Sequence, residues 1–170
     1  MNKALNKQIQ EEMYSSYLYL AMAAYFESLN LKGFSHWMKA QVQEEILHAM
    51  KFYYFIHDKG GKVELQEIKK PDITWDSPYD AFDAAYKHEQ YISSCINNLV
   101  DLSFTEKDHA SYNFLQWYVT EQVEEEASAD EIRQQLKMVG DNSSGLFFLD
   151  KELTARVYPA AIFDGGVPNA

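Results

Sequence analysis

The sequence contains a single cysteine among its 170 residues, so no disulfide bond can form within the chain. That residue, Cys95, lies between Ser94 and Ile96, where we expect a small buried apolar side chain rather than a reactive thiol. No run of about 18 apolar residues occurs, and the N-terminus has no apolar segment of signal-peptide length. These absences predict a cytoplasmic protein that does not interact with membranes.

Basic residues are also scarce: the sequence has 15 Lys and Arg residues but 26 Asp and Glu residues, which gives a net charge of −11. Such a charge disfavours nucleic acids and anionic membranes as partners and favours cations. Glycine and proline are few, and residues 3–29 contain neither. With 46% apolar and 15% aromatic residues, the composition is that of one globular domain rather than a disordered chain.

Apolar residues recur at alternating steps of four and three over long stretches, which predicts helices. The predicted long helices span residues 3–29, about 34–58, 77–103 and from the 105–108 turn to 139, and a short fifth spans 146–156. Residues 61–77 look extended, and such a long crossover lets the third helix run parallel to the second. The predicted fold is an all-α four-helix bundle over residues 1–156, with an unassigned tail at 157–170.

Two polar residues interrupt the apolar face of the second helix. Glu45 and His48 are three residues apart, so their side chains leave the helix on the same face, one turn from each other. Burying a carboxylate and an imidazole in such a face is costly unless another group compensates them. A bound metal ion is a common and strong compensation, provided that the other helices supply further ligands.

Each of the other long helices has a polar residue in the middle of its apolar stripe: Glu12 in the first, Glu89 in the third, and Gln122 with Glu125 in the fourth. A single inward-facing polar residue could result from a misread helix register. Because all four helices have one at a similar depth, a shared site is favoured. Four buried carboxylates repel one another, and two divalent ions would neutralise them. Oxygen ligands with one imidazole favour iron or manganese over structural zinc.

Four motifs in this order carry a resemblance to a known family. They are Glu12–Ser16 with Tyr19, Glu44–His48, Tyr86–Gln90 and Phe114–Glu126. On these motifs, residues 3–156 resemble the prokaryotic non-haem ferritins. The resemblance implies a ferritin-like bundle that oxidises Fe(II) to Fe(III) with O2 or H2O2 at a di-iron ferroxidase centre. It also implies intracellular storage of the iron as ferric oxyhydroxide in a hollow shell of about 24 chains.

The family pattern assigns ligands to the di-iron centre residue by residue. Glu12, Glu45 and His48 would hold one iron, and Glu45 would bridge to a second iron held by Glu89 and Glu125. The pattern departs from the usual di-metal bundle because Gln122-x-x-Glu125 replaces a second Glu-x-x-His. Gln122 would therefore lie against the centre and orient water or an oxygen species.

The same resemblance implies further roles around the centre. Tyr19 matches a tyrosine that can donate an electron, although ordinary core packing explains this residue equally well. A third iron site would be formed by Glu44, Glu121, Glu124 and Glu125. We expect no haem, because Ile46 stands where a haem-binding relative has methionine and Glu125 where it has histidine.

Two other interpretations stay open at this point. A rubrerythrin-like di-iron peroxidase or oxidase would use core carboxylates without storing iron, and a non-catalytic helical shell protein would need no ligands at all. The remaining histidines are predicted at a surface or interface: His36, His57, His88 and His109. A second apolar stripe predicts a partner surface, and its residues are Tyr14, Leu18, Ala21 and Tyr25, with Trp37 on the next helix.

Overall fold

The computed structural model of the chain describes residues 1–159, and within that range it contains five α-helices and no strand. Their bounds are α1 Asn2–Ser28, α2 Lys32–Asp58, α3 Pro78–Thr105, α4 His109–Val139 and α5 Ser143–Leu153. The all-α prediction is confirmed. In the described part of the chain, no helix is long and apolar enough to cross a membrane. The predicted irregular structure of residues 160–170 concerns residues outside the described range.

The four long helices form two hairpins that a long connection joins. Residues 59–77, between α2 and α3, contain no helix or strand, as the sequence predicts. Phe34 near the start of α2 contacts Phe82 near the start of α3, with ring centroids 5.8 Å apart. The two helices therefore begin at the same end of the bundle and run parallel, which confirms the predicted crossover.

The core consists of two apolar clusters separated by a polar layer. One cluster includes Phe26, Phe34, Phe82 and Leu136, and the other includes Ile9, Phe52, Ile96 and Leu115. On each long helix the residues of one cluster are separated from those of the other by the polar positions: Glu12 on α1, Glu45 and His48 on α2, Glu89 on α3, Gln122 and Glu125 on α4. The candidate ligands thus lie at one depth.

Side-chain caps begin three of the helices. Ser77 accepts from the backbone N–H of Asp80 at the start of α3, and Asp108 accepts from that of Ser111 at the start of α4. Asn142 accepts from two backbone N–H groups at the start of α5. These oxygens satisfy donors that have no partner within the helix. The predicted starts of α3 and α4 are confirmed.

Two predicted boundaries are wrong by a few residues. Helix α2 begins at Lys32 rather than 34, because Asn30 with its φ of 59° completes the reversal within a shorter turn. Helix α5 spans 143–153 rather than 146–156, because the Asn142 cap draws the expected hinge residues into its first turn. Arg156 consequently lies beyond the helix.

Helix α2 has no cap of its own, and α5 provides one. The carboxylate oxygen Oδ1 of Asp150 accepts from the backbone N–H of Gly33 at 2.7 Å and of Phe34 at 3.2 Å. A Cβ atom on Gly33 would come within 1.5 Å of the Asp150 carbonyl oxygen, so only glycine permits this approach. A negative charge at a helix N-terminus is favourable, and this contact attaches α5 to the bundle.

Replacing Asp150 with alanine is expected to destabilise the protein by about 1–2 kcal/mol, because two buried N–H groups at the start of α2 would lose their acceptor. The thermal unfolding midpoint checks this change. Asp141→Ala, at an exposed position before α5, is the matched control and should leave the midpoint unchanged. Equal midpoints for the two variants would contradict the capping role.

The structure corrects part of the predicted partner surface. Trp37 is buried and packs against Phe82 with ring centroids 5.2 Å apart, and Trp75 of the connection covers Tyr25 at 5.3 Å. The chain's own segments therefore bury much of the apolar surface that the sequence assigns to a partner. Cys95 is only partly buried, because it lies toward the outer side of α3.

Candidate metal centre

The polar layer brings potential ligands from three helices together. Single ligand atoms of Glu12, Glu45 and His48 all lie within 4.8 Å of one another, and so do those of His48, Glu121 and Glu125. The two groups share His48 and join α1, α2 and α4. This arrangement agrees with the predicted clustering of side chains from different helices.

Glu12 is fully buried and has one oxygen without a partner. Its Oε1 accepts from Gln8 Nε2 at 3.0 Å, whereas Oε2 makes no hydrogen bond among the described residues. Burial, and next the nearby Glu45 carboxylate, raise the pKa of Glu12 from 4.5 to about 8. Such an unpaired buried oxygen is costly, and a cation would satisfy it.

Glu45 and His48 form a buried pair on α2. His48 Nδ1 lies 3.5 Å from Glu45 Oε2, and His48 Nε2 lies 3.6 Å from Glu121 Oε1. Burial raises the pKa of Glu45 to about 7. Burial alone would lower the pKa of His48, but the neighbouring Glu121 and Glu45 carboxylates outweigh this effect and raise it well above 6.5. The imidazole of His48 therefore lies between two acidic side chains, one from α2 and one from α4.

Glu89 extends from α3 and is held on both oxygens. Tyr19 donates its hydroxyl hydrogen to Oε1, and Gln122 Nε2 donates to Oε2 at 3.2 Å. Burial, and then the Glu125 charge, raise the pKa of Glu89 to about 8. Tyr19 is completely buried. Tyr19 and Gln122 therefore both contact a predicted ligand.

Glu125 lies on α4 and is positioned by a residue that the sequence analysis did not assign to the site. Gln41 Nε2 donates to Glu125 Oε2 at 2.7 Å. Burial is the main reason why the pKa of Glu125 is raised to about 7. Gln41 is fully buried on the same stripe as Glu45, one turn earlier, and this polar residue in an apolar stripe was the available signal.

The predicted third-site residues differ in their surroundings. Glu121 is half-buried beside His48, and its interaction with that imidazole lowers the pKa of Glu121. Glu44 pairs with Arg156. Glu124 is exposed on α4. Among the described residues, neither Glu44 nor Glu124 belongs to the close groups of ligand atoms that contain His48.

His88 is more enclosed than the predicted surface position implies, although its side chain keeps some exposure. Its Nε2 lies 2.7 Å from Ser15 Oγ, and its ring contacts those of Tyr14 and Tyr19. Burial lowers its pKa to about 4. Helix α1 packs against the part of α3 next to Glu89, and its residues therefore cover much of the His88 side chain. His57 and His109 are exposed, as expected.

The donor set fits a hard or borderline cation. Glu12, Glu45, Glu89 and Glu125 are buried at one depth with a single imidazole, and burial raises the pKa of all four carboxyl groups. Oxygen-rich sites with one histidine suit iron or manganese. The fold and the site together define a four-helix bundle with a carboxylate-rich candidate metal centre in its core.

Comparison with known proteins assigns the family. A ferritin-like domain model matches residues 2–139. The bacterial non-haem ferritin of Bacteroides fragilis (strain 638R) is 42% identical over 156 residues, which cover 92% of this chain and 97% of that protein. An open-pore ferritin from the hyperthermophilic archaeon Archaeoglobus fulgidus superposes with a TM-score of 0.92 at 53% identity, covering 92% of this chain and 97% of the other.

A closed form of the Archaeoglobus fulgidus ferritin, engineered by site-directed mutagenesis, gives a TM-score of 0.93 at 52% identity over 94% of this chain and 97% of the other. The chain therefore belongs to the ferritin family, among its prokaryotic non-haem members. The predicted resemblance and bundle fold are confirmed. The division into a domain of residues 1–156 and a tail of residues 157–170 stays a prediction.

Proposed function

We propose that this protein stores iron, and that it oxidises Fe(II) to Fe(III) at the buried carboxylate centre before storage. The observation that carries the proposal is the layer of four buried glutamates and one histidine between two apolar clusters. Burial raises the pKa of each of these glutamates, and incoming divalent cations would stabilise their ionised form.

The chain's own residues would bind and orient the substrate ions. Glu12, Glu45 and His48 would hold one Fe(II), and Glu45 would bridge to a second held by Glu89 and Glu125. Each carboxylic acid must lose its proton to act as a ligand, so Fe(II) binding releases protons. Iron supplies the electrons that O2 or H2O2 accepts, while the protein supplies geometry and charge.

Two neighbouring groups would assist this centre. Tyr19 donates a hydrogen bond to Glu89 and would donate an electron to the oxidation, and Gln122 holds the other Glu89 oxygen. Glu44, Glu121 and Glu124 would share a third iron with Glu125, at the end of the centre where His48 meets α4. We expect no haem, as the sequence analysis predicts from Ile46 and Glu125, and a cytoplasmic location stays a prediction.

The storage part of the proposal requires a shell of about 24 copies. The Archaeoglobus fulgidus relatives are described as open-pore and engineered closed forms of a ferritin, which supports a hollow assembly here. Exposed apolar side chains also favour burial by other copies: Phe147 and Phe148 on α5 are 57% and 71% exposed. Oxidised iron would then accumulate inside the shell as ferric oxyhydroxide.

Aerobic loading tests storage directly. The purified protein is given tens of Fe(II) per chain in air, and its mass is followed by light scattering. We expect a particle of many chains whose iron stays soluble and co-elutes with protein. A monomer or dimer that leaves the iron as a precipitate would support the rubrerythrin-like alternative. A large particle that oxidises iron no faster than buffer alone would support the non-catalytic shell.

A further inference from the structure

Arg156 follows the end of α5 and reaches back onto α2. Its guanidinium group lies 4.2 Å from the centroid of the Trp37 ring, and its Nη2 donates to Glu44 Oε2 and to Gln41 Oε1. The arginine side chain is 20% exposed and that of Glu44 is 25% exposed. A full positive charge therefore lies at the edge of the centre, on a carboxylate predicted to bind the third iron.

The segment that carries Arg156 is attached to α2 by a second set of contacts. We call residues 154–158 the C-terminal strap. His36 Nε2 lies 2.8 Å from the Arg156 carbonyl oxygen, which can only accept, and His36 Nδ1 lies 3.1 Å from the Tyr158 hydroxyl group. The strap therefore keeps its position on α2 through backbone and side-chain contacts that do not involve the guanidinium group.

Arg156 also influences Glu125 through Gln41. An arginine side chain has only donors and a carboxylate has only acceptors, so Gln41 can satisfy both in a single orientation. Its Oε1 faces Arg156, and its Nε2 donates to Glu125 Oε2 at 2.7 Å. Without the arginine, the Gln41 amide could turn over and release Glu125, which is a predicted ligand of both iron sites.

We propose that Arg156 is a positioning residue that acts as the counter-ion of the third metal site in the metal-free protein, and that a cation entering this site must displace it from Glu44. The inference rests on the proposed function, because that function supplies the third site. A guanidinium group and a divalent cation cannot both lie against one carboxylate without strong repulsion. Arg156 is suited to displacement since its buried Nη1 has no hydrogen-bond partner among the described residues.

Anaerobic calorimetric titration with Zn²⁺, which undergoes no redox reaction, tests the proposal on the assembled metal-free protein. Arg156→Gln should bind the third ion about tenfold more tightly than wild type, because a competing charge is removed. The affinities for the first two ions should change less than that for the third, because Arg156 contacts Glu44 directly but reaches Glu125 only through Gln41. Arg156→Lys retains the charge and should restore weak binding of the third ion.

Arg133→Gln is the matched control. Arg133 is also 20% exposed and pairs with Asp83 and Asp130, so its replacement removes the same charge from a different part of the bundle. We expect it to bind all three ions as wild type does. A third-ion affinity that is equal in the Arg156→Gln, Arg133→Gln and wild-type proteins would overturn the proposal, as would the absence of a third ion.

Trp37 provides a second measurement that a purely structural role of Arg156 would not alter. In a Trp75→Phe, Trp117→Phe background, Trp37 is the sole reporter, and its emission should change as the third Zn²⁺ equivalent binds. The change should vanish when Arg156→Gln is added. If Trp37 emission does not change when the third ion binds, the proposed displacement of Arg156 is contradicted. If the wild-type protein lacks two tight sites, the proposed function is overturned as well. If it has those two sites but its third-ion affinity does not depend on Arg156, only the present proposal is overturned.

Discussion

Replacing Glu12 with glutamine is expected to slow the rapid phase of Fe(II) oxidation by about 100-fold or more and, at the same time, to stabilise the metal-free protein. The amide keeps the shape of the side chain but is a poor ligand. The stability gain follows because Glu12 is fully buried, has an oxygen without a partner, and has a pKa raised to about 8. We expect the thermal midpoint near pH 8 to rise by about 3–8 °C.

Stopped-flow absorbance under excess O2 measures the oxidation phase, and scanning calorimetry measures the midpoint. Glu131→Gln on α4 is the matched control, since its exposed side chain removes the same charge without touching the centre. It should leave both quantities unchanged. An unchanged oxidation rate in Glu12→Gln would refute a catalytic role for the centre. A lower thermal midpoint would refute the claim that the buried Glu12 carboxyl group destabilises the metal-free protein.

The metal-free protein is expected to lose stability as the pH rises from about 5 to 9, the reverse of ordinary acid denaturation. Four buried carboxylates have pKa values raised from 4.5 to about 7 or 8. These groups hold protons in the folded chain that the unfolded chain releases, so their stabilising effect is complete below about 4.5 and is lost through 7 to 8. His48, with its pKa raised well above 6.5, acts in the same direction.

Two groups oppose this trend. Burial lowers the pKa of His88 from 6.5 to about 4, so its contribution to stability increases with pH through that range. Burial also lowers the pKa of Lys51 from 10.5 to about 8, so its contribution to stability increases above that pH. One histidine and one lysine cannot cancel four carboxylates. We therefore expect a midpoint at about pH 9 that is clearly below the midpoint at about pH 6, with a smaller difference in Glu12→Gln. Zn²⁺ should reverse the trend, because metal binding is favoured once the ligands have lost their protons. A midpoint that rises with pH in the metal-free protein would exclude this charge arrangement.

The centre could be predicted from the sequence because helical periodicity makes its ligands visible one helix at a time. Glu45 and His48 stand out against an apolar stripe, and Glu12 and Glu89 do so on other helices at matching depth. Their neighbours Tyr19 and Gln122 contact Glu89 in the structure. The parallel direction of α2 and α3 could also be predicted from the sequence, because it follows from the length of the connection between them.

Contacts between distant residues could not be predicted in the same way. Asp150 caps α2 across 117 positions, and Arg156 reaches Glu44 across 112. Both depend on where α5 begins, which the Asn142 side chain sets three residues earlier than the apolar pattern indicates. His88 was misplaced for a related reason: α1 encloses a side chain that the periodicity of α3 alone assigns to the outside.

Anaerobic titration of the metal-free protein with Fe(II), followed by O2, tests the central claim most directly. We predict that about two Fe(II) bind tightly per chain with release of protons, and that O2 then oxidises both in a rapid phase. Fewer than two tight sites per chain, or binding without rapid oxidation, would contradict the assignment of Glu12, Glu45, His48, Glu89 and Glu125 as a ferroxidase centre.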